Sequence, residues 1–292
     1  MTTRAADTGA VAGVRLTHPD KVLYPEQGIT KQDLADYYLA VADRILPHVA
    51  RRPLTLVRCP AGSEKKCFYQ RHAGAGVPDE LGEVTIAGFA EPYLYIKDAP
   101  GLIALVQIGV LEIHPWGARI DRPDRPDRIV FDLDPGEGLD FAAVAAAAFE
   151  VRARLESQGL AAFAKTTGGK GMHVVVPIVR RHTWPAVKAF AKATAERMAA
   201  DAPERFLTRI AKAERTGRIF IDYLRNDPTA TAIGPYSTRA RAGAPVAMPL
   251  AWDEVTPSLD PAAFTIDGAR RRIARTPDPW AEIGKHAQAL PR

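Results

Sequence analysis

The chain has 292 residues, 47% of them hydrophobic and 25% charged. That is the composition of an ordinary soluble globular protein, long enough for one large domain or two closely packed lobes. A net charge of +5 and a pI of about 9.2 suit a polyanionic partner without requiring one. The longest apolar run, residues 101–113, is too short to span a bilayer and is interrupted by Gln107 and Glu112.

The opening stretch MTTRAADTGAVAG has no apolar core of a signal peptide. Residues 30–46 read as one helix, with Thr30 as N-cap, Asp33 three residues on, and Leu34, Tyr37, Val41 and Ile45 on one face. Residues 48–58 are locally basic. Cys59 and Cys67 make no disulfide framework and have no zinc-ligand spacing, so they are read as inert, and the cytosol as the compartment. DRPDRPDR (121–128) reads as an extended loop. Strands are expected at 129–134, 160–165, 172–179 and 218–224. Helices are expected at 140–157, closed by Gly159, and at 183–199, capped by Thr183 with Pro185 in its first turn. This alternation predicts an α/β (α+β) fold, a mixed central sheet flanked by helices. Beyond about residue 256 lies a proline-containing tail with one short helix and a basic cluster at 268–277.

RIVFDLDPGEGLD (128–140) carries the first chemical signal. Residues i and i+2 of a strand share a face, so Asp132 and Asp134 stand together with Cα atoms roughly 6.5–7 Å apart, and Leu133 faces the core. Two carboxylates this close repel unless a cation lies between them. Mg²⁺ or Mn²⁺, hard ions that take oxygen ligands, fit that need. GRIFIDYL repeats the pattern of three apolar residues followed by an acid at Asp222. Asp132, Asp134 and Asp222 brought to one point would form a two-metal site. Asp140 is read as a helix cap.

KTTGGKGMHVVVP (165–177) is not a Walker loop, because the glycine spacing differs and a strand follows. It still suits an anion. Gly168, Gly169 and Gly171 permit positive φ and bare N–H groups, while Thr167, Lys170 and His173 offer a hydroxyl, a cation and an imidazole.

FDLDPGEG, KTTGGKGMHVVVP and IFIDYLRN, in this order and spacing, resemble the three motifs of the polymerase domain of bacterial DNA ligase D, in the archaeo-eukaryotic primase superfamily. LTHPDKVLYPEQGITKQDLADYY and CFYQRH resemble its DNA-end-binding segments. The resemblance covers residues 14–255 and treats 1–292 as one primase-polymerase domain of two closely packed lobes, with 256–292 as a tail packed on it. It implies template-directed addition of ribo- or deoxynucleotides at gaps and double-strand breaks, in the non-homologous end joining of a bacterial cytoplasm. Asp132, Asp134 and Asp222 would bind two Mn²⁺ or Mg²⁺ ions. His114, Thr167, Gly169, Lys170, His173 and Arg239 would hold the triphosphate. His18, Lys21, Lys31, Phe68 and Arg215 would contact DNA, with Lys21 and Lys31 on a 5′-phosphate and Phe68 stacked on a template base. Ku and an ATP-dependent DNA ligase are the implied protein partners, and no membrane is involved. Gap filling in excision repair, or a DNA-end-binding module without catalysis, are the alternative readings. A D-x-D glycosyltransferase is the rival enzyme class; the third aspartate, the lysine-bearing loop and the basic N-terminal segment speak against it.

Overall fold

The computed structural model describes residues 10–74 and 76–291; the first nine residues, on which part of the reading of the N-terminus rests, lie outside them. The N-terminal lobe begins with short ribbons that lead into helix α1 (Lys31–Ala40). Thr30 and Asp33 form the expected capping box: the Thr30 hydroxyl oxygen accepts from Asp33 N–H, and the Asp33 carboxylate accepts from Thr30 N–H at 2.9 Å. The single helix expected over 30–46 is divided at Val41, where φ is −102° and ψ 4°, and α2 (Ala42–Val49) follows. This break aims Tyr37 and Tyr38 of α1, and Ile45 and Val49 of α2, into the interior together. Strands β1 (Leu54–Arg58) and β2 (Phe68–Gln70) form a hairpin. The apolar run divides into α3 (Ala99–Gln107) and β3 (Val110–Pro115). Gly109 makes that turn at φ +78°, where a Cβ would lie 3.0 Å from the Cα of Pro60. The sheet order is β2-β1-β3, antiparallel throughout.

The two cysteines are not the inert pair expected. Arg58 pairs with Phe68 in the β1–β2 register, so Cys59 and Cys67 face each other one step further on. Their Cα atoms are 4.3 Å apart and the two are joined by a disulfide. A separation of eight residues has no meaning for zinc, but it closes a hairpin.

The C-terminal lobe supplies β4 (Arg128–Pro135), α4 (Phe141–Glu156), β5 (Phe163–Thr166), β6 (Met172–Pro177), α5 (Trp184–Asp201), β7 (Phe206–Leu207), β8 (Ile219–Asp222), β9 (Pro249–Leu250) and α6 (Ile266–Ile273). Its sheet runs β7-β8-β4-β6-β5-β9, and only β7–β8 is parallel, so the mixed sheet is as expected. Period-two alternation buries Ile129, Phe131 and Leu133 of β4, with Val174 and Val176 of β6, in the core that includes Val144 and Val151 of α4. Asp140 caps α4 through Ala143 N–H at 3.1 Å, and Gly159 follows that helix at φ +77°. Thr183 occupies the N-cap of α5 but makes no side-chain capping bond. Pro185, in the first turn, removes one of the N–H groups that a cap would satisfy.

The chain between Ile233 and Met248 ties the lobes together. Gly234 N–H donates to Ile113 O, the Thr238 hydroxyl donates to Leu111 O at 2.6 Å, and Thr166 N–H donates to Met248 O. Tyr37 OH also donates to Tyr236 O at 2.8 Å. Further along the interface, Arg52 of the first lobe forms a buried ion pair with Asp127, whose chain enters β4. Among the described residues no helix is long and apolar enough to cross a membrane.

Candidate active site

The face of the large sheet turned away from α4 presents a row of charged groups. In the strand register Asp222 of β8 lies opposite Asp132 of β4, Asp132 opposite His173 of β6, and His173 opposite Lys165 of β5. Directly paired residues in antiparallel strands point to the same side. The sheet therefore carries Asp222, Asp132, His173 and Lys165 across four strands, each 7% exposed or less. Asp134 stands beside them, two residues beyond Asp132, and is only partly buried. The three expected acids thus share one face of the sheet, and Leu133 faces the core as expected.

Arg225 is a member that sequence reasoning missed. Its Nε lies 3.2 Å from Asp132 Oδ2 and 3.1 Å from Asp222 Oδ2, so one guanidinium spans the two carboxylates. Among the described residues no three Asp, Glu, His or Cys side chains stand close enough to enclose a metal ion as they are. The donor set nevertheless fits one. Asp132 Oδ1 is buried without a hydrogen bond, although His173 Nε2 is 3.3 Å away, and His173 Nδ1 is buried without one as well. Burial and then the charge of Asp132 push Asp134 up to about 6, and burial raises Asp222. Burial would raise Asp132 too, but His173 and Arg225 bring it down to about 2. Burial, then the charge of Lys165, lowers His173 to about 4, so this imidazole is neutral at pH 7. The row holds more negative charge than its residues neutralise comfortably, which is the condition a hard cation relieves.

The glycine-rich loop lies beside this row and lines the same cleft, of about 460 Å³. Only Gly168 of its three glycines takes positive φ, at +66°. Gly171 is required for a different reason than expected: a Cβ there would lie 2.5 Å from the backbone oxygen of Leu133. The Thr167 hydroxyl donates to Gly171 O at 3.1 Å, so it braces the loop. Lys170 is exposed at the mouth of the cleft. Arg239 clasps the loop from the side, its Nη1 donating to Thr167 O at 2.7 Å.

Glu112, also missed, organises the opposite wall. It is 6% exposed. Its Oε2 lies 2.7 Å from His114 Nε2, its Oε1 lies 3.0 Å from Arg239 Nε, and Ala240 N–H donates to Oε1 at 2.9 Å. Burial would raise the carboxyl, but the His114 bond and the Arg239 charge bring it down to about 2. His114 itself moves down, since burial outweighs the bond to Glu112. His114, Lys170, His173, Arg215 and Arg239 all line the cleft, with Arg241 beside them. The Arg215 guanidinium lies over the Phe220 ring at 3.9 Å.

Four of the five residues expected to meet DNA, His18, Lys21, Lys31 and Phe68, lie on the first lobe, and Arg215 lies on the second, in the cleft. Phe68 is 43% exposed with the Arg58 guanidinium 5.4 Å from its ring centre, and Tyr69 is 74% exposed. Tyr69 lines a groove shared with Arg71, His114 and Arg225, and Phe68 lies outside that groove. Lys31 is 6% exposed, and its ammonium donates to Thr17 O at 2.7 Å and Gln107 O at 3.2 Å. Burial and the nearby charge of Lys21 lower Lys31, and the two residues are joined through the backbone, Lys31 N–H donating to Lys21 O at 2.8 Å. Lys21 is exposed, and His18 beside it takes φ +52°.

A mixed sheet that offers carboxylates at one strand edge, with a lysine-bearing glycine-rich loop beside them, defines the class of site. The chain belongs to the family described as LigD, primase-polymerase domain, whose family model matches residues 30–280. It is 38% identical over 290 residues to the multifunctional non-homologous end joining protein LigD of Pseudomonas aeruginosa, covering 98% of this chain and 34% of that protein. It is 36% identical over 246 residues to the LigD of Mycolicibacterium smegmatis, covering 83% of this chain and 32% of that one. The chain therefore spans about a third of the length of these relatives. A solved structure of the polymerase domain from Mycobacterium tuberculosis ligase D in complex with DNA superposes with a TM-score of 0.87 at 35% identity, covering 94% of this chain and 99% of that one.

Proposed function

We propose that the chain is a nucleotidyltransferase that extends a DNA 3′-end from nucleoside triphosphates at gaps and breaks. The observation that carries this reading is the row Asp222–Asp132–His173–Lys165 with the Thr167–Lys170 loop at its edge. Relatives named for non-homologous end joining favour that pathway over excision repair. Ku and a DNA ligase would be the protein partners in that pathway. A neighbour solved with DNA supports a DNA substrate.

Asp132, Asp134 and Asp222 would hold two Mn²⁺ or Mg²⁺ ions, which when bound supply charge stabilisation at the reacting phosphate and activate the attacking hydroxyl. Arg225 neutralises Asp132 and Asp222, contacts that a bound cation would replace. Lys170 and Arg239 bind the triphosphate oxygens by charge, and neutral His173 supplies an uncharged polar group at the floor. Gly169 lets the backbone approach the phosphates. His114, held by Glu112, faces the nucleotide from the opposite wall. Phe68 and Tyr69 offer stacking surfaces for unpaired template bases. Arg215 lies beside the primer, and Lys21, Lys31 and His18 form the seat of a 5′-phosphate.

Primer extension on a gapped duplex, with Mn²⁺ or Mg²⁺ and ribo- or deoxynucleotides, tests the reading. Incorporation that Asp132→Ala abolishes is expected. Incorporation by the variant equal to that of the unmodified chain would overturn the assignment. Removing the downstream 5′-phosphate should weaken extension by the unmodified chain but not by Lys21→Ala.

A further inference from the structure

A second cavity, of about 720 Å³, lies between the lobes at the other end of the same sheet face. Arg128 and Asp132 share a face of β4, four residues and about 13 Å apart. Val175 and His173 share a face of β6. These strands thus deliver Asp132 and His173 to the candidate active site, and Arg128 and Val175 to the second cavity.

Five arginines and three aspartates line this cavity. In its wall Asp127 is the only carboxylate among the described residues in contact with three guanidiniums: Arg52 at 2.8 Å, and Arg119 and Arg128 each at 3.4 Å. Several donors there are unused. Arg52 Nε is buried without a partner. The terminal nitrogens of Arg128 make no hydrogen bond among the described residues, its guanidinium being engaged only through Nε. His48 is 3% exposed, lines the cavity, and its ring likewise makes no hydrogen bond among the described residues. Apolar side chains make up much of the remaining wall, among them Pro47, Val175, Pro177, Trp280 and Ile283. Burial and the charge of Arg52 push Arg128 down to about 9, a sign of positive charge held without enough counter-charge.

We propose that this cavity is a second ligand site, for a small molecule of mononucleotide size that combines an anionic group with a flat apolar body. The volume lies within the range of small-molecule sites, which are mostly apolar with a few fixed polar groups. The arginine cluster would take a phosphate or carboxylate, for which guanidinium forks are suited. The apolar wall beside Trp280 would take the base or ring. Nothing in this assignment depends on polymerase activity, because binding is read without primer or template.

Calorimetric titration with adenosine monophosphate, in a buffer containing a metal chelator, tests it. A Lys170→Ala chain, disabled at the loop of the first site, should still bind the nucleotide saturably. Adenosine and inorganic phosphate should each bind at least about tenfold more weakly than the nucleotide. Arg119→Glu, which reverses a partly exposed charge, and Ala281→Trp, which adds bulk at the exposed rim of the cavity without removing a charge, should each weaken binding at least about tenfold. Circular dichroism checks that both variants fold, and if Arg119→Glu does not, Ala281→Trp decides alone. Loss of all nucleotide binding in Lys170→Ala overturns the proposal. So does binding unchanged by Ala281→Trp, or adenosine or phosphate binding as tightly as the nucleotide.

Discussion

Glu112 Oε1 and Arg239 Nε stand 3.0 Å apart across the boundary between the lobes, and the other oxygen of the same carboxylate meets His114. One buried acid thus fixes two of the side chains that face the candidate nucleotide site. Glu112→Gln keeps the shape but removes the charge. A hydrogen bond to a charged group contributes about 1.5–3 kcal/mol, and about 1.4 kcal/mol is a tenfold change. The expected result is a KM for the nucleotide raised about tenfold with a smaller change in kcat, read by primer extension. An unchanged KM would show that Arg239 and His114 need no such anchor.

The same carboxylate gives a pH dependence of stability. Its folded value, about 2, lies below the ordinary 4.5. A depressed acid adds stability that is fully present above the unfolded value and is lost as pH falls through the folded one. The contribution should therefore be whole at pH 7 and fade between about 4.5 and 2. Its size is at most about 3 kcal/mol by the linkage relation. Urea unfolding at pH 7 and pH 3 should show a larger acid-induced loss for the unmodified chain than for Glu112→Gln. Equal losses would remove Glu112 from the account.

Much of this arrangement follows from local pattern. Alternation places Asp132 and Asp134 on one face and Leu133 in the core, and Thr30 with Asp33 marks the start of α1. The row itself does not, because it needs the register of β4 against β6 and β8, strands about 40 and 90 residues away in sequence. Arg225 sits three residues past Asp222 in the motif IFIDYLRN, where a cation following a strand-end acid is the one available signal. Glu112 lies within an apolar strand, and only the polar residue interrupting that run marks it. Thr167 and Gly171 were legible as residues of an anion loop. Their bond to each other, and the closeness of Gly171 to Leu133, arise from packing against β4.

Gly171→Ala is consequently expected to disturb the loop although its φ is not positive. The added methyl would sit 2.5 Å from Leu133 O, a backbone atom that cannot swing away. Overpacking of this kind costs about 1–3 kcal/mol. Gly138→Ala is the contrast: its φ is +87°, and a Cβ would meet nothing within 4 Å, so its cost is backbone strain alone. Primer extension and thermal unfolding should show loss of nucleotide affinity with Gly171→Ala, and a stability change only with Gly138→Ala.

Asp127 should behave as a structural linchpin of the interface. Burial would raise its carboxyl, but Arg52 and Arg128 hold it well below the usual carboxylate range. Asp127→Asn leaves three guanidiniums facing one another, and breaking a buried pair from one side costs about 3–5 kcal/mol. Asp124, 68% exposed and 3.5 Å from Arg125, belongs to a surface pair of little weight. Chemical denaturation should separate Asp127→Asn from Asp124→Asn by at least about 2 kcal/mol.

The hairpin disulfide makes a further prediction that bears on the surface next to it. Cys67 adjoins Phe68 and closes a loop of nine residues with Cys59. In the chain-entropy account such a loop stabilises by about 2.5 kcal/mol. Cys59 is wholly buried, and the β1–β2 pairing holds the hairpin independently, so reduction should leave the lobe folded. Alkylation of the denatured chain should label neither cysteine without reductant and both after it. Reduced chain, or Cys67→Ser, should unfold at lower denaturant and bind single-stranded template more weakly, because the strand that presents Phe68 and Tyr69 is less constrained. A thiol that alkylates without reductant would show that the cysteines are unpaired in solution.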